Sequence, residues 1–292
     1  MRFATLWALV AALAFVPLIA AEPAPQRVEK LTDHAYAIFG EGGNVGLFVA
    51  ADAALLVDGR FEAGAPGLLQ AVRTVTDKPV RYLVNTHVHR DHVGANAWME
   101  KQGVTLVAHA NVRARLARTQ QAGLPAICYG EENPALRARM DLHLGASEFH
   151  LLHLAPGHTD GDTIFGYPQE LVLAMGDLFF NGALPFIDTQ SGGSLDGLVA
   201  TLDNLATWLP DGTKIIPGHG PVAAKKDLLR LRDFLRALQA HVKAHPDLAP
   251  AALAAGFDTA AWADFKPSPG FVSWESLFAG ASGKGPGRVP KP

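Results

Sequence analysis

Between Asn85 and Asn96 the chain reads NTHVHRDHVGAN, which sets His87, His89, Asp91 and His92 within six residues. The protein has 12 histidines in all, so three in one loop is a marked concentration of ligand-type side chains. Imidazole nitrogen and carboxylate oxygen both suit zinc, which takes three or four such ligands. In extended chain at a strand end, residues i and i+2 project to the same side, so His87 and His89 can face one point. Asp91 and His92 follow where a helix is expected to begin, and the turning chain can aim them at a second point nearby. One loop thus offers half of each of two metal sites. The other ligands must come from elsewhere.

Three residues stand in equivalent settings, each at the end of an expected strand and beside glycine: His158 in APGHTDGD, Asp177 in AMGDLFF and His219 in IPGHGP. A strand end followed by a glycine turn is where a sheet presents functional groups, and glycine lets backbone approach without a clash. The remaining histidines read differently. His34, His143, His241 and His245 are expected to be hydrogen-bonded loop residues. His150 and His153 flank a strand on opposite faces, and nothing around His109 singles it out.

The elements that must position these groups are legible from pattern. Runs at 34–40, 44–50 and 53–59 read as antiparallel strands, the third closed by Asp58. Phe61, Leu68, Leu69, Val72 and Val75 recur at helical spacing, and a β-rich run at 80–86 follows. A strand at 104–109 precedes a short helix at 111–118 with Asn111 as its cap, and then 119–147 reads as irregular, with Gly123, Pro125, Gly130 and Pro134. Such an insertion suggests a substrate-facing loop. Further strands are expected at 149–155, 163–168, 171–177 and 213–218, with amphipathic helices through Leu195–Leu209 and Leu228–Val242. The pattern divides the chain into a leader at 1–21, one domain at 22–245 and a partly irregular extension at 246–292, frayed over 281–292.

Composition narrows the partners. Charged residues make up 18% of the 292 and the net charge is −3, so no broad basic field exists to gather nucleic acid or anionic lipid. A small-molecule substrate fits better. The opening MRFATLWALVAALAFVPLIAA has a basic start, an apolar run broken by Pro17 and small residues at Ala20 and Ala21, the pattern of a cleaved signal peptide. The expected location is periplasmic or secreted, with no stable membrane insertion after cleavage. Cys128 is the lone cysteine, so no intramolecular disulfide forms, and it reads as a small buried apolar residue.

Taken together, His-x-His-x-Asp-His at 87–92, Gly-His at 157–158, Gly-Asp at 176–177, Pro-Gly-His-Gly at 217–220 and Asp58 resemble the metallo-β-lactamase fold superfamily, in that family's order over about residues 30 to 240. The resemblance implies an α/β fold, an αββα sandwich of two mixed β-sheets flanked by helices, with two Zn²⁺ at one edge. It implies that His87, His89 and His158 hold the first metal, that Asp91, His92 and His219 hold the second, and that Asp177 bridges them with Asp58 behind the metal loop. A bridging aspartate is similar to the glyoxalase II, lactonase and ribonuclease branches; the cysteine-ligand lactamases have sulfur there, and Cys128 lies too far upstream.

Two divalent ions about 3.5–4 Å apart lower the pKa of a shared water toward ~7 from 15.7, supplying hydroxide and polarising a carbonyl. Asp91 would then orient the nucleophile and pass a proton to the leaving group. The implied activity is hydrolysis of an acyl bond in an ester, lactone, thioester or β-lactam. The alternative is a mononuclear-iron, persulfide-dioxygenase-like oxidoreductase or a metal-binding accessory protein, so iron and manganese stay open as metals. Phe179, Phe180, Leu184, Pro185 and Phe186, with Leu124, Pro125, Ile127 and Tyr129 of the 119–135 loop, are candidates for an apolar cleft. Phe180 stands where acyl-homoserine lactonases have tyrosine, and the tail lacks the basic region of glyoxalase II. Export and the missing basic surface oppose ribonuclease activity.

Overall fold

A computed structural model describes residues 26–131 and 137–284. The expected signal peptide at 1–21 lies outside the described residues, as does 285–292 of the tail. Two β-sheets form the centre. The first joins β1 (Arg27–Lys30), β2 (Ala35–Phe39), β3 (Val45–Val49), β4 (Ala54–Val57), β5 (Val80–Val84), β6 (Thr105–His109) and β7 (Ile127–Tyr129) in chain order. Pairing is antiparallel from β1 to β4 and parallel from β4 to β7. The second joins β8 (Ala138–Leu144), β9 (Ser147–His153), β10 (Ile164–Tyr167), β11 (Val172–Ala174), β12 (Lys214–Ile216) and β13 (Ala223–Ala224), with β11 and β12 parallel and the other pairs antiparallel.

Period-two alternation explains why both faces of each sheet are covered. In β4, Leu55 and Val57 turn inward to a core shared by the sheets, with Phe48, Phe149 and Phe165, while Ala54 and Leu56 turn outward. The outward set packs on α1 (Ala65–Arg73) through Leu68 and Val72 and on α3 (Asn96–Lys101) through Met99. In the second sheet, Val172 and Ile216 face the shared core, whereas Leu173 and Ile215 meet α5 (Leu195–Trp208) and α6 (Lys225–Ala244). The layers are therefore helix, sheet, sheet, helix. The short α2 (Arg90–Val93) and α4 (Ala110–Arg118) follow the ends of β5 and β6. Among the described residues no helix is long and apolar enough to cross a membrane.

Several expectations change. The 119–147 stretch is not irregular throughout, because it carries β7 and β8. β8 pairs with β9 in a hairpin, its exposed Arg139, Asp141 and His143 alternating with Met140, Leu142 and Leu144. Charge on one face hid the strand. Cys128 is exposed rather than buried, since β7 ends its sheet and leaves a side to solvent. The cap of α4 is the His109 side chain, which accepts the Asn111 N–H; the Asn111 amide instead donates to the Asp160 carbonyl at 2.8 Å. Beyond residue 245 come α7 (Pro250–Gly256) and α8 (Trp274–Ala281), and Leu253, Phe265, Leu277 and Phe278 join the core beside α6.

One polar pocket interrupts the interior. The rings of His109 and His153 stack at 4.3 Å, and the Nε2 atoms of both are buried without hydrogen-bond partners. Burial first, and His153 beside it, hold His109 down to about 4. For a base depressed in the folded state, the unfolded chain takes up the proton first as pH falls. Stability is then full above the ordinary value near ~6.5 and is lost as pH falls through about 4. Urea unfolding of metal-free protein at pH 7 and pH 4.5 is expected to show this loss. His109→Gln is expected to be less stable at pH 7 but to have a shallower pH slope, by roughly 2–3 kcal/mol over that window. An unchanged slope would assign the acid sensitivity elsewhere.

Candidate metal centre

The site forms where strands of both sheets end. Asp58 follows β4 at φ 66°, a left-handed conformation that aspartate tolerates better than most residues. Its buried carboxylate accepts the Thr86 N–H and the Thr86 hydroxyl, both at 2.8 Å, and a bond from His92 Nδ1 at 2.8 Å. Thr86 has thus committed its hydroxyl proton and accepts from His87 Nδ1 at 3.0 Å. His89, in extended conformation, starts α2, which carries Asp91 and His92. His158 sits in the turn between β9 and β10 and donates from Nδ1 to the Phe186 carbonyl at 2.7 Å. That turn is tied by Asp162, which accepts the Thr159 N–H and hydroxyl. Burial pushes the Asp162 carboxyl up to about 7 against those bonds.

Asp177 and His219 follow the parallel neighbours β11 and β12, so they emerge side by side. Glycine is needed at both approaches. Gly218 donates to the Gly176 carbonyl at 2.8 Å, and a Cβ on Gly218 would lie 2.0 Å from Asp177 Oδ1. Gly176 has φ 50°, and its Cβ would meet Thr86 Oγ1 at 2.3 Å.

All seven candidate residues converge, in two sets. His87, His89, His158 and Asp177 offer ligand atoms within 4.8 Å of one another, as do Asp91, His92 and His219. Asp177 stands between them. Its Oδ2 lies 3.7 Å from His87 Nε2 and 3.5 Å from His158 Nε2, while Oδ1 lies 3.2 Å from His92 Nε2 and 3.4 Å from His219 Nε2. Asp91 Oδ2 is 3.2 Å from His219 Nε2 and 3.5 Å from His92 Nε2.

The donor set fits metal ions on its hydrogen bonding alone. His87 Nε2, His92 Nε2, His219 Nε2 and Asp177 Oδ1 are buried with no hydrogen-bond partner, an expensive state unless something positive occupies the space between them. His89 gives its Nε2 proton to the Asp188 carboxylate at 2.8 Å, and His158 gives its Nδ1 proton to a carbonyl. Their other nitrogens then face each other at 2.9 Å with lone pairs exposed, which is repulsive without a cation. Among the described residues a third group, Asp141, Glu148 and His150, is a surface cluster in which Arg139 binds Asp141 at 2.7 Å.

Electrostatics point the same way. Burial would raise Asp177, but His219, His92, His87 and His158 hold it well below the usual carboxylate range. Asp91 is also held far down: burial opposes this, and His92 and His219 overcome it. Burial lowers His158 to about 4 and, with His92 nearby, takes His87 well below its ordinary value. At His219 burial is outweighed by Asp177 and Asp91, which raise it to about 9, and the same two carboxylates with Asp58 raise His92. The cluster favours positive charge between its members, supplied by protons or by metal.

The cluster opens into a cavity of about 700 Å³ lined by His89, Asp91, Asp177 and His219. Phe180 lines it, and Phe186 lies against the His89 and His158 rings at 6.1 and 5.8 Å. Phe179 and Leu184 are core instead. Leu124, Pro125, Ile127 and Tyr129 do not line it, since the chain runs into β7 there, and Thr119 and Gln121 take their place. Phe61, ahead of α1, and Phe271, from the tail, complete an aromatic wall that sequence reasoning missed. Asp188 was missed too, because nothing local links it to a histidine 99 residues away. Its other oxygen accepts the Gln190 and Ser191 N–H groups. Asp188→Ala is expected to weaken metal binding by about 10–100-fold. Chelator competition would read the loss, and an unchanged affinity would refute the role.

Comparison with known proteins agrees with this geometry. Residues 38–222 match the family model described as the metallo-beta-lactamase superfamily. The 2,4-dinitroanisole O-demethylase subunit alpha of Nocardioides sp. is 27% identical over 57% of this chain, which spans about half (48%) of that protein's length. The hydroxyacylglutathione hydrolase GloC of Haemophilus influenzae is 27% identical over 59% of this chain and 82% of its own. Among solved structures, a metallo-beta-lactamase from Pontibacter korlensis superposes with a TM-score of 0.63 at 20% identity, covering 72% of this chain and 99% of its own, a likeness of fold. With its two mixed sheets, flanking helices and histidine–aspartate cluster, the chain belongs to the metallo-β-lactamase superfamily.

Proposed function

We propose that the protein is a metal-dependent hydrolase that cleaves an acyl bond of a small substrate. In this reading His87, His89 and His158 hold one Zn²⁺, Asp91, His92 and His219 hold another, and Asp177 links them. The observation that carries it is Asp177, whose two carboxylate oxygens each face a different set of imidazoles. A pair of divalent ions there would lower the pKa of a water toward ~7 and polarise a carbonyl. The water oxygen adds to the acyl carbon, the bond to the leaving oxygen, sulfur or nitrogen breaks, and the proton passes to the leaving group. Asp91, half-buried and open to the cavity, is the group placed to carry that proton. The names of the relatives, hydroxyacylglutathione hydrolase and metallo-beta-lactamase, support hydrolysis. Mononuclear-iron chemistry is the weaker reading, since it leaves Asp91, His92 and His219 without a task. Export through residues 1–21 to the periplasm or beyond belongs to the same proposal and rests on sequence alone.

Metal analysis of purified protein, with assays on a lactone, a thioester and a β-lactam, tests the reading. Two zinc ions per chain and turnover of any of the three are expected. One iron with thiol-dependent oxygen uptake would overturn it.

A further inference from the structure

We propose that the substrate carries a carboxylate, and that Arg90 selects it while the apolar part lies against the Phe180 and Phe271 wall. This deepens the hydrolase reading and rests on it. Arg90 is the residue between His89 and Asp91, so its backbone is fixed by the loop that builds both halves of the metal cluster. Its exposed side chain lines the cavity over the cluster and makes no ion pair or hydrogen bond with any described residue.

The other arginines and carboxylates lining the cavity, Arg118 among them, have partners. Arg115 grips Asp160 through Nε at 2.7 Å and a second nitrogen at 2.6 Å. The lining carboxylates Asp91 and Asp177 turn into the histidine cluster. Arg90, Phe61 and Gln121 also line a second cavity of about 770 Å³, to which Glu62 alone contributes a carboxylate. Arg90 therefore borders both spaces.

A guanidinium there recognises a carboxylate through paired N–H donors, and a cluster loaded with divalent cations adds attraction of the same sign. The facing wall offers no such group. Phe180 stacks on the His219 ring at 5.2 Å, and Phe271 packs on Phe186 at 5.5 Å, so this side takes an apolar acyl or aryl portion. The tail beyond residue 245 thus enters specificity through Phe271. It is held there by a bond from the Leu184 N–H to the Lys266 carbonyl at 2.9 Å.

The test compares phenyl acetate with 4-acetoxybenzoate, which differ by one carboxylate, on zinc-loaded protein. A preference in kcat/KM of about 10-fold or more for the charged ester is expected. Arg90→Gln should bring the ratio toward one and Arg90→Lys should keep part of it, both at equal zinc content. Raising ionic strength should shrink the wild-type ratio. Equal rates on both esters, or an undiminished ratio in Arg90→Gln, would overturn the proposal. If neither ester is cleaved, the hydrolase reading is what has failed. Calorimetric titration with benzoate then reads the subsite on its own: binding weakened in Arg90→Gln supports it, and binding unchanged in that variant overturns it.

Discussion

On the proposed two-metal hydrolase reading, Asp177→Ala is expected to lose both ions and to cost more activity than the roughly 10–100-fold typical of losing an outer hydrogen-bond partner. The two oxygens of this carboxylate are 3.5 Å from His158 Nε2 and 3.2 Å from His92 Nε2, so one substitution removes a ligand from each set. It also removes a major source of negative charge that raises His92 and His219, whose pKa values should fall. Metal-free protein would then keep its imidazoles and Asp91 but lack the carboxylate that stands between the two sets. Elemental analysis after dialysis gives the ion count, and circular dichroism confirms that the variant folds. Retention of close to one ion per chain would show that Asp177 serves a single site.

The second large effect is expected from Asp58→Asn, which touches no metal-facing atom. Asn adopts the left-handed conformation that Asp58 requires, so the backbone should survive. The chemistry changes because an amide offers one acceptor oxygen where the carboxylate offers two. Asp58 now accepts from the Thr86 N–H and hydroxyl and from His92 Nδ1. With an NH₂ group facing His92, Nδ1 must accept, the proton moves to Nε2, and the lone pair aimed at Asp177 and Asp91 disappears. Through Thr86 the same change loosens His87. Metal affinity of the set containing His92 should fall by about 10–100-fold, and on the proposed hydrolase reading kcat/KM should fall alongside. NMR of the imidazole nitrogens would report the tautomer directly. An Asn variant with Nδ1 still protonated and zinc binding unchanged would refute this mechanism.

How much of this was legible before folding depends on range. The cluster at 87–92 declares itself because its ligand-type side chains are local, and the strand-end rule singled out His158, Asp177 and His219, which the fold brings beside it, because each follows an apolar run and abuts glycine. Strands with both faces covered, such as β4 and β11, stand out as apolar runs. β8 did not, since a strand with one solvated face resembles a polar loop when its charged residues alternate. Asn111 looked like the cap of α4, yet the cap came from the neighbouring His109, whose backbone is extended and whose ring turns back over the first turn. Asp188, Phe61 and Phe271 carry no local signal, for their partners lie on other elements.

By itself, the sequence determined the types of the candidate ligands, their order and the strand ends that carry them, because side-chain direction within a strand or a tight turn follows from local geometry. Only the tertiary structure decided that Asp177 turns one oxygen to each set, that Asp58 and Asp188 hold the rings in place, and that Arg90 and a tail phenylalanine share one cavity. Those relations join residues far apart in the chain, such as Asp188 and His89, 99 positions from each other. They arise from the parallel pairing of β11 with β12 and from the packing of the two sheets, which no local pattern encodes.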